Sequence, residues 1–170
     1  MLNRRYAIAL AFAAAVLPAA SLLPSPARAE QAFQRFIPLL VDLPGWQGKK
    51  PEGMAMEMPG NSMITATRKY ERGSARLNAQ IITGAAAQGA LAATHTGIKV
   101  ETSEGHMITA SVDGLPVTRT YTFKDKSGAV LVELAPAAMF SLSFNGVDED
   151  EALKLAKAFN WKAIQAALPK

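Results

Sequence analysis

The sequence predicts an α+β domain, a twisted antiparallel sheet of about six to seven strands with helices packed on it, the last of them C-terminal. Three observations carry this expectation. Apolar and polar residues alternate in short segments from Met54 to Phe144, the period of half-buried strands. Short turns bearing Gly, Pro, Asn or Asp join most of these segments, and such connections suit antiparallel neighbours. After Asp148 the apolar residues recur at helical spacing instead.

The elements follow in chain order. Residues 1–29 have the layout of a cleavable signal peptide: Arg4 and Arg5, an apolar stretch from Tyr6 to Leu17, and Ala27-Arg28-Ala29 as a small-x-small site, with cleavage expected after Ala29. The domain then spans 30–170. It opens with Phe33, Phe36, Ile37 and Leu40 at the spacing of a short amphipathic helix limited by Pro38, followed by the Pro- and Gly-rich loop LPGWQGKKPEG with Trp46 as its core plug. Met54 to Met58, SMITATRKY and ARLNAQII are expected as a three-stranded meander. Alanine-rich residues 84–96 suit a surface helix. HMITASV and LPVTRTYTF flank the hairpin signal Asp113-Gly114, and GAVLVEL and MFSLSF follow as further strands. Pro116 places the start of its strand at an edge or beyond the ladder. Asp148 and Glu151 have the spacing of a capping box, ahead of a stripe of Ala152, Leu155, Ala156 and Phe159 that breaks at Asn160 and resumes with Trp161, Ile164 and Leu168.

Charge and composition narrow the function classes. Loss of the leader removes Arg4, Arg5 and Arg28, which leaves 15 Lys+Arg against 14 Asp+Glu. A near-neutral chain offers little to nucleic acid or an anionic membrane. There is no cysteine, hence no disulfide framework and no thiolate chemistry. The expected location is the periplasm, and no integral membrane segment is expected after cleavage.

The segments LVDLPGWQG, KYERGSARLNAQIITG and DEDEALKLAKAFNWKAIQAAL resemble those of small exported proteins of proteobacteria, and the element order is similar to the PsbP-like α/β/α sandwich. The resemblance implies an accessory or binding role without catalysis.

Motifs for enzyme chemistry are missing. There is no G-x-S-x-G elbow, no H-E-x-x-H and no Gly-rich phosphate loop, and the two histidines, His95 and His106, sit in no zinc spacing. The expectation is therefore a non-enzyme without a cofactor, acting on an unknown protein, peptide or small apolar ligand. His95 is expected near a helix end and His106 on the surface. The acidic run Asp148 to Glu151 suits a helix start better than a calcium loop. Arg68, Lys69, Arg72 and Arg76 are expected as a solvated hairpin face.

One segment offers sharper chemistry. In GMAMEMPGNSM, Met54, Met56 and Met58 share one side of a strand, with Ala55 and Glu57 on the other. Methionine is a good core filler, so packing is the first reading. Soft thioethers also select Cu(I), with Met63 or His106 completing such a site, and flexible methionines serve adaptable contact surfaces. Ala55 discriminates: if it faces the core, the methionines face solvent.

Overall fold

Side-chain alternation gives the sheet two unequal faces, one almost wholly apolar and the other carrying methionine, threonine, serine, asparagine and glutamine. The computed structural model describes residues 32–92, 94 and 99–169; the expected leader and His95 lie outside them. Nine strands form one antiparallel sheet: β1 (Gln47–Gly48), β2 (Glu52–Met58), β3 (Asn61–Arg72), β4 (Ala75–Gly84), β5 (Lys99–Glu101), β6 (Gly105–Val112), β7 (Leu115–Thr122), β8 (Ser127–Ala135) and β9 (Ala138–Asn145). Their spatial order is β1-β3-β4-β9-β8-β7-β6-β5, with β2 beside β3 on the same side as β1. The helices are α1 (Ala85–Ala92), α2 (Glu149–Ala158) and α3 (Trp161–Ala166), with a helical turn over 32–34 and a 3-10 turn at Ile37–Leu39.

This corrects the expectation of an α+β domain with six to seven strands. The fold is an open antiparallel sheet of nine strands with a minor helical component. The strands that sequence patterning missed, β1 and β5, have two and three residues. Segments so short show no measurable period and exist only because a longer neighbour offers them a free edge. The Asp113-Gly114 hairpin forms as expected, with φ of 52° and 83° at the two turn residues, the left-handed pair a two-residue turn needs. Pro116 pairs only with Ser111 of β6, because the ladder to β8 begins at Val117. Its missing N–H is therefore absent from no inner ladder.

The apolar face supplies Ala66, Tyr70, Ala79, Ile81, Val117, Val130, Val132, Phe140 and Leu142, all fully buried. From α2, α3 and the N-terminal turns come Phe36, Leu40, Ala152, Ala156, Phe159 and Ile164. Phe159 is the central contact, with its ring centroid 4.9 Å from Phe140 and 6.1 Å edge-on from Tyr70. Each large side chain buried here stabilises the fold by about 1.5–3 kcal/mol. On the opposite face α1 covers only a corner, setting Ala87 and Leu91 on Met139.

The helix starts differ in part from expectation. Asn160 caps α3, its Oδ1 accepting from the Ala163 N–H at 3.0 Å. Asp148 precedes α2 without a side-chain cap bond, and the capping box does not form. Lys126 takes the Asp148 carboxylate at 2.9 Å and Arg72 takes Glu151 at 2.6 Å. Lys126 comes from the β7–β8 turn and Arg72 from the end of β3, both near the helix start, and a full positive charge outcompetes a backbone N–H for a carboxylate.

The N-terminal segment is clamped by β3. Arg68, expected in solvent, lies on the apolar face with its side chain only 14% exposed. Its guanidinium donates to the Leu40 carbonyl at 2.7 Å and the Lys49 carbonyl at 2.9 Å, pairs with Asp42, and lies 5.3 Å from the Tyr70 ring centroid. The Tyr70 hydroxyl donates to the Val41 carbonyl at 2.7 Å. Arg72 stacks on Trp46, 4.2 Å from its centroid. Two arginines and a tyrosine thus close the loop, whose regular structure is limited to the two residues of β1.

Burial pushes the Tyr70 hydroxyl up to about 12, against the lowering influence of the Arg68 charge. A proton held more tightly in the folded state gives stability that is complete below pH 10 and is lost as pH rises from 10 toward 12. The chemical denaturation midpoint is expected to fall across that window. In Tyr70→Phe the midpoint is lower at neutral pH and that part of its alkaline decline disappears; an unchanged decline would place the cause in other groups.

Candidate functional site

Ala55 packs against the core, and the methionines consequently point away from it. Met54, Met56 and Met58 are 49%, 41% and 51% exposed, which corrects the expectation that they fill the interior. The reason lies across the sheet: Phe33 presses its ring against Gly53, where an added Cβ would sit 2.1 Å from the ring carbon Cδ2. The side of β2 that bears Gly53 and Ala55 is thereby fixed toward the helices.

Antiparallel register sets the rest of the site. Met56 lies directly opposite Met63 of β3, Met54 opposite Thr65 and Met58 opposite Asn61. Directly opposed side chains have Cβ atoms about 4.5–5.5 Å apart and diagonal ones about 7–8 Å. Met63, half-buried, is therefore the neighbour common to all three exposed methionines. Thioether arms can close those gaps for Met56, Met63 and one of Met54 or Met58, so three sulfurs can meet at one point over the β2–β3 hairpin. Met54 and Met58, four residues apart along β2, lie about 13 Å from each other and cannot share it. Beside them an open depression of about 440 Å³ runs over β2, β3 and β4, lined by Met54, Thr65, Thr67, Lys69, Asn78 and Gln80. The buried Oδ1 of Asn78 has no hydrogen-bond partner.

His106 does not belong to this group. It lies on the opposite face of β6, and the path from β2 crosses β3, β4, β9, β8 and β7, about 29 Å at the usual strand spacing. Nor is it on the surface. Its side chain is 13% exposed, its ring packs beside Tyr121 and Phe123, and its Nε2 lies 3.1 Å from Oε2 of Glu149. Arg119 Nη1 lies 3.1 Å from the other oxygen of the same carboxylate. Neither Nε2 nor Oε1 is aligned for a directed hydrogen bond. The geometry of the cluster ties the first turn of α2 to β6 and β7. The carboxylate is shared between an arginine and an imidazole walled by aromatic rings.

Sequence spacing missed this cluster. Residues 106, 119 and 149 come from three elements, and Glu149 sits inside an acidic run whose members disperse to Lys126, to Arg119 and His106, and to Arg72. Only pairing of β6 with β7 and docking of α2 bring them together. Of the basic residues expected as a solvated face, Arg76 pairs with Glu71 at 3.7 Å at the hairpin end and Lys69 is exposed beside the depression, whereas Arg68 and Arg72 are structural.

A second depression, about 570 Å³, lies between the β6–β7 turn and the α2–α3 junction, with the Asp113–Lys157 pair at 3.1 Å on its wall. No histidine lines it. Among the described residues no helix is long and apolar enough to cross a membrane. The site thus defines a class by geometry: an open antiparallel sheet with one helix-covered face and a thioether-bearing hairpin on the other. No family model, curated protein or solved structure matches the chain.

Proposed function

We propose that this is a non-catalytic exported protein that acts by binding in the periplasm, with the methionine face of the β2–β3 hairpin as its working surface. The observation that carries the reading is the outward set of Met54, Met56 and Met58 around an inward Ala55, with Met63 across from Met56. Leaving three large apolar side chains about half in water forgoes part of the roughly 1.5–3 kcal/mol that full burial of each would contribute. Threonine, as at Thr65 and Thr67 on the same face, would serve a solvated strand without that loss.

The cross-strand arrangement favours Cu(I) as the ligand. Thioethers are soft, neutral donors that prefer this ion over the harder divalent metals, and the chain has no thiolate to offer instead. An adaptable apolar contact with a peptide is the second reading, favoured by the same exposed flexible side chains.

The test is a Cu(I) competition titration against a chromogenic chelator under reducing, oxygen-free conditions. The protein is recovered from the periplasmic fraction after expression of the full chain, and its mass reports whether it begins at Glu30. One tight equivalent is expected, and Met56→Leu with Met63→Leu is expected to weaken it roughly a hundredfold, about 2.8 kcal/mol. Leucine keeps the volume and the apolar surface, so an unchanged tight equivalent would place copper away from this hairpin and no binding at all would remove copper; either outcome leaves the peptide reading for the methionine face.

A further inference from the structure

Among the described residues nothing pairs with the outer edge of β2, a seven-residue strand with a complete ladder to β3 on its inner side. An open edge of this length is a template for another strand, and β2 lacks the lysine that commonly guards one. We infer that the partner is a second copy of this chain, joined β2 to β2 in antiparallel fashion about a twofold axis through Ala55.

Sequence and pleat together select that register. A twofold axis perpendicular to the sheet keeps each face on its own side, so opposed residues must have the same parity. Centring on Ala55 is the one such register that uses all seven residues, Glu52 to Met58. It sets Ala55 against Ala55, Met54 against Met56, Gly53 against Glu57, and Glu52 against Met58. No two of the four carboxylates face each other, and Glu57, the one charge on the helix-side face of β2, meets a residue with no side chain. A shift by two residues in either direction runs one end of the strand into Pro51 or Pro59, neither of which can donate to a ladder. The pairing joins two sheets edge to edge and merges the two methionine rows into one band on the uncovered face.

This inference stands apart from copper and is tested without it. Sedimentation equilibrium of the purified protein, in buffer with a metal chelator, is expected to give twice the chain mass. The double variant Met54→Lys with Met56→Lys places like charges opposite each other at both pairs, and the mass is expected to halve while the circular dichroism spectrum is retained. Met54→Lys with Met56→Glu sets each lysine against a glutamate of the other copy, and the doubled mass is expected to return. A wild-type monomer at the highest soluble concentration would overturn the inference and leave the edge to an extended segment of another protein. A doubled mass that survives the two lysines would move the contact elsewhere on the surface. Failure of the Lys/Glu variant to restore the mass would exclude this register.

Discussion

Arg68→Ala is expected to lower the free energy of unfolding by about 2–4 kcal/mol, the largest loss for any single charged residue in this fold. The side chain is mostly covered, and its guanidinium serves the Leu40 and Lys49 carbonyls, the Asp42 carboxylate and the face of Tyr70 at once. Truncation leaves carbonyl groups of the N-terminal loop without donors and opens space over Tyr70. Without Arg68, segment 40–49 keeps only the two-residue β1, the Tyr70 hydroxyl on the Val41 carbonyl and the contacts of Lys49 and Trp46 with β3 as ties to the sheet, so it should detach first. Amide exchange at Lys49, whose N–H donates to the Lys69 carbonyl at 2.8 Å, is the local readout, and urea denaturation gives the global one. Arg68→Lys is a sharper control than a conservative change suggests: an ammonium group keeps the charge but cannot span three acceptors in a planar fork. It should recover less than half of the loss. Full recovery by lysine would show that charge alone, and not the fork, holds the loop.

Gly84→Ala is expected to cost about 3–5 kcal/mol and to disturb the methionine face from a distance. Gly84 ends β4 at φ +85° directly opposite Met63, and a Cβ built there would lie 1.8 Å from the Ser62 carbonyl oxygen and 3.3 Å from the Met63 Cα. The clash is with backbone, so no rotamer relieves it; β3 must move away from β4, and Met63 moves with it. Gly60→Ala separates strain from clash. That glycine has a similar φ of +76° but open space around it, so its substitution should cost about 1 kcal/mol. Unfolding midpoints of the two variants are the direct comparison. If the thioethers hold Cu(I), the Gly84 variant should also bind it more weakly under conditions where it remains folded, whereas the Gly60 variant should bind as the wild type does. Equal stability of both variants would mean that the β3–β4 junction yields easily and that Met63 is not held in place by it.

The His106–Glu149–Arg119 cluster and the methionine hairpin show two kinds of partial legibility. The sequence marked His106 and the acidic run separately, because each is unusual in composition. It could not join them, since their meeting depends on α2 docking across β6 and β7. Met54, Met56 and Met58 were legible as a set, because a period of two fixes which side chains share a side.

What the sequence by itself determined is local. Alternation specified seven of the strands, Asp113-Gly114 specified a tight hairpin through its left-handed backbone, and the spacing of Ala152, Ala156, Phe159, Trp161 and Ile164 specified the helical stripes that reach the core. The tertiary structure decided which side of each strand is inside. Met-Ala-Met-Glu-Met is compatible with either orientation by its own pattern; Phe33 seated on Gly53 and the helical layer over Ala55 turn the methionines outward. It also added β1 and β5, too short for any period to show, and drew Arg68 from solvent to the loop it clamps. The physical reason is common to these cases. Period and propensity act within a few residues, whereas burial and charge pairing depend on segments far apart in the chain, and their contacts exist only once the sheet has assembled.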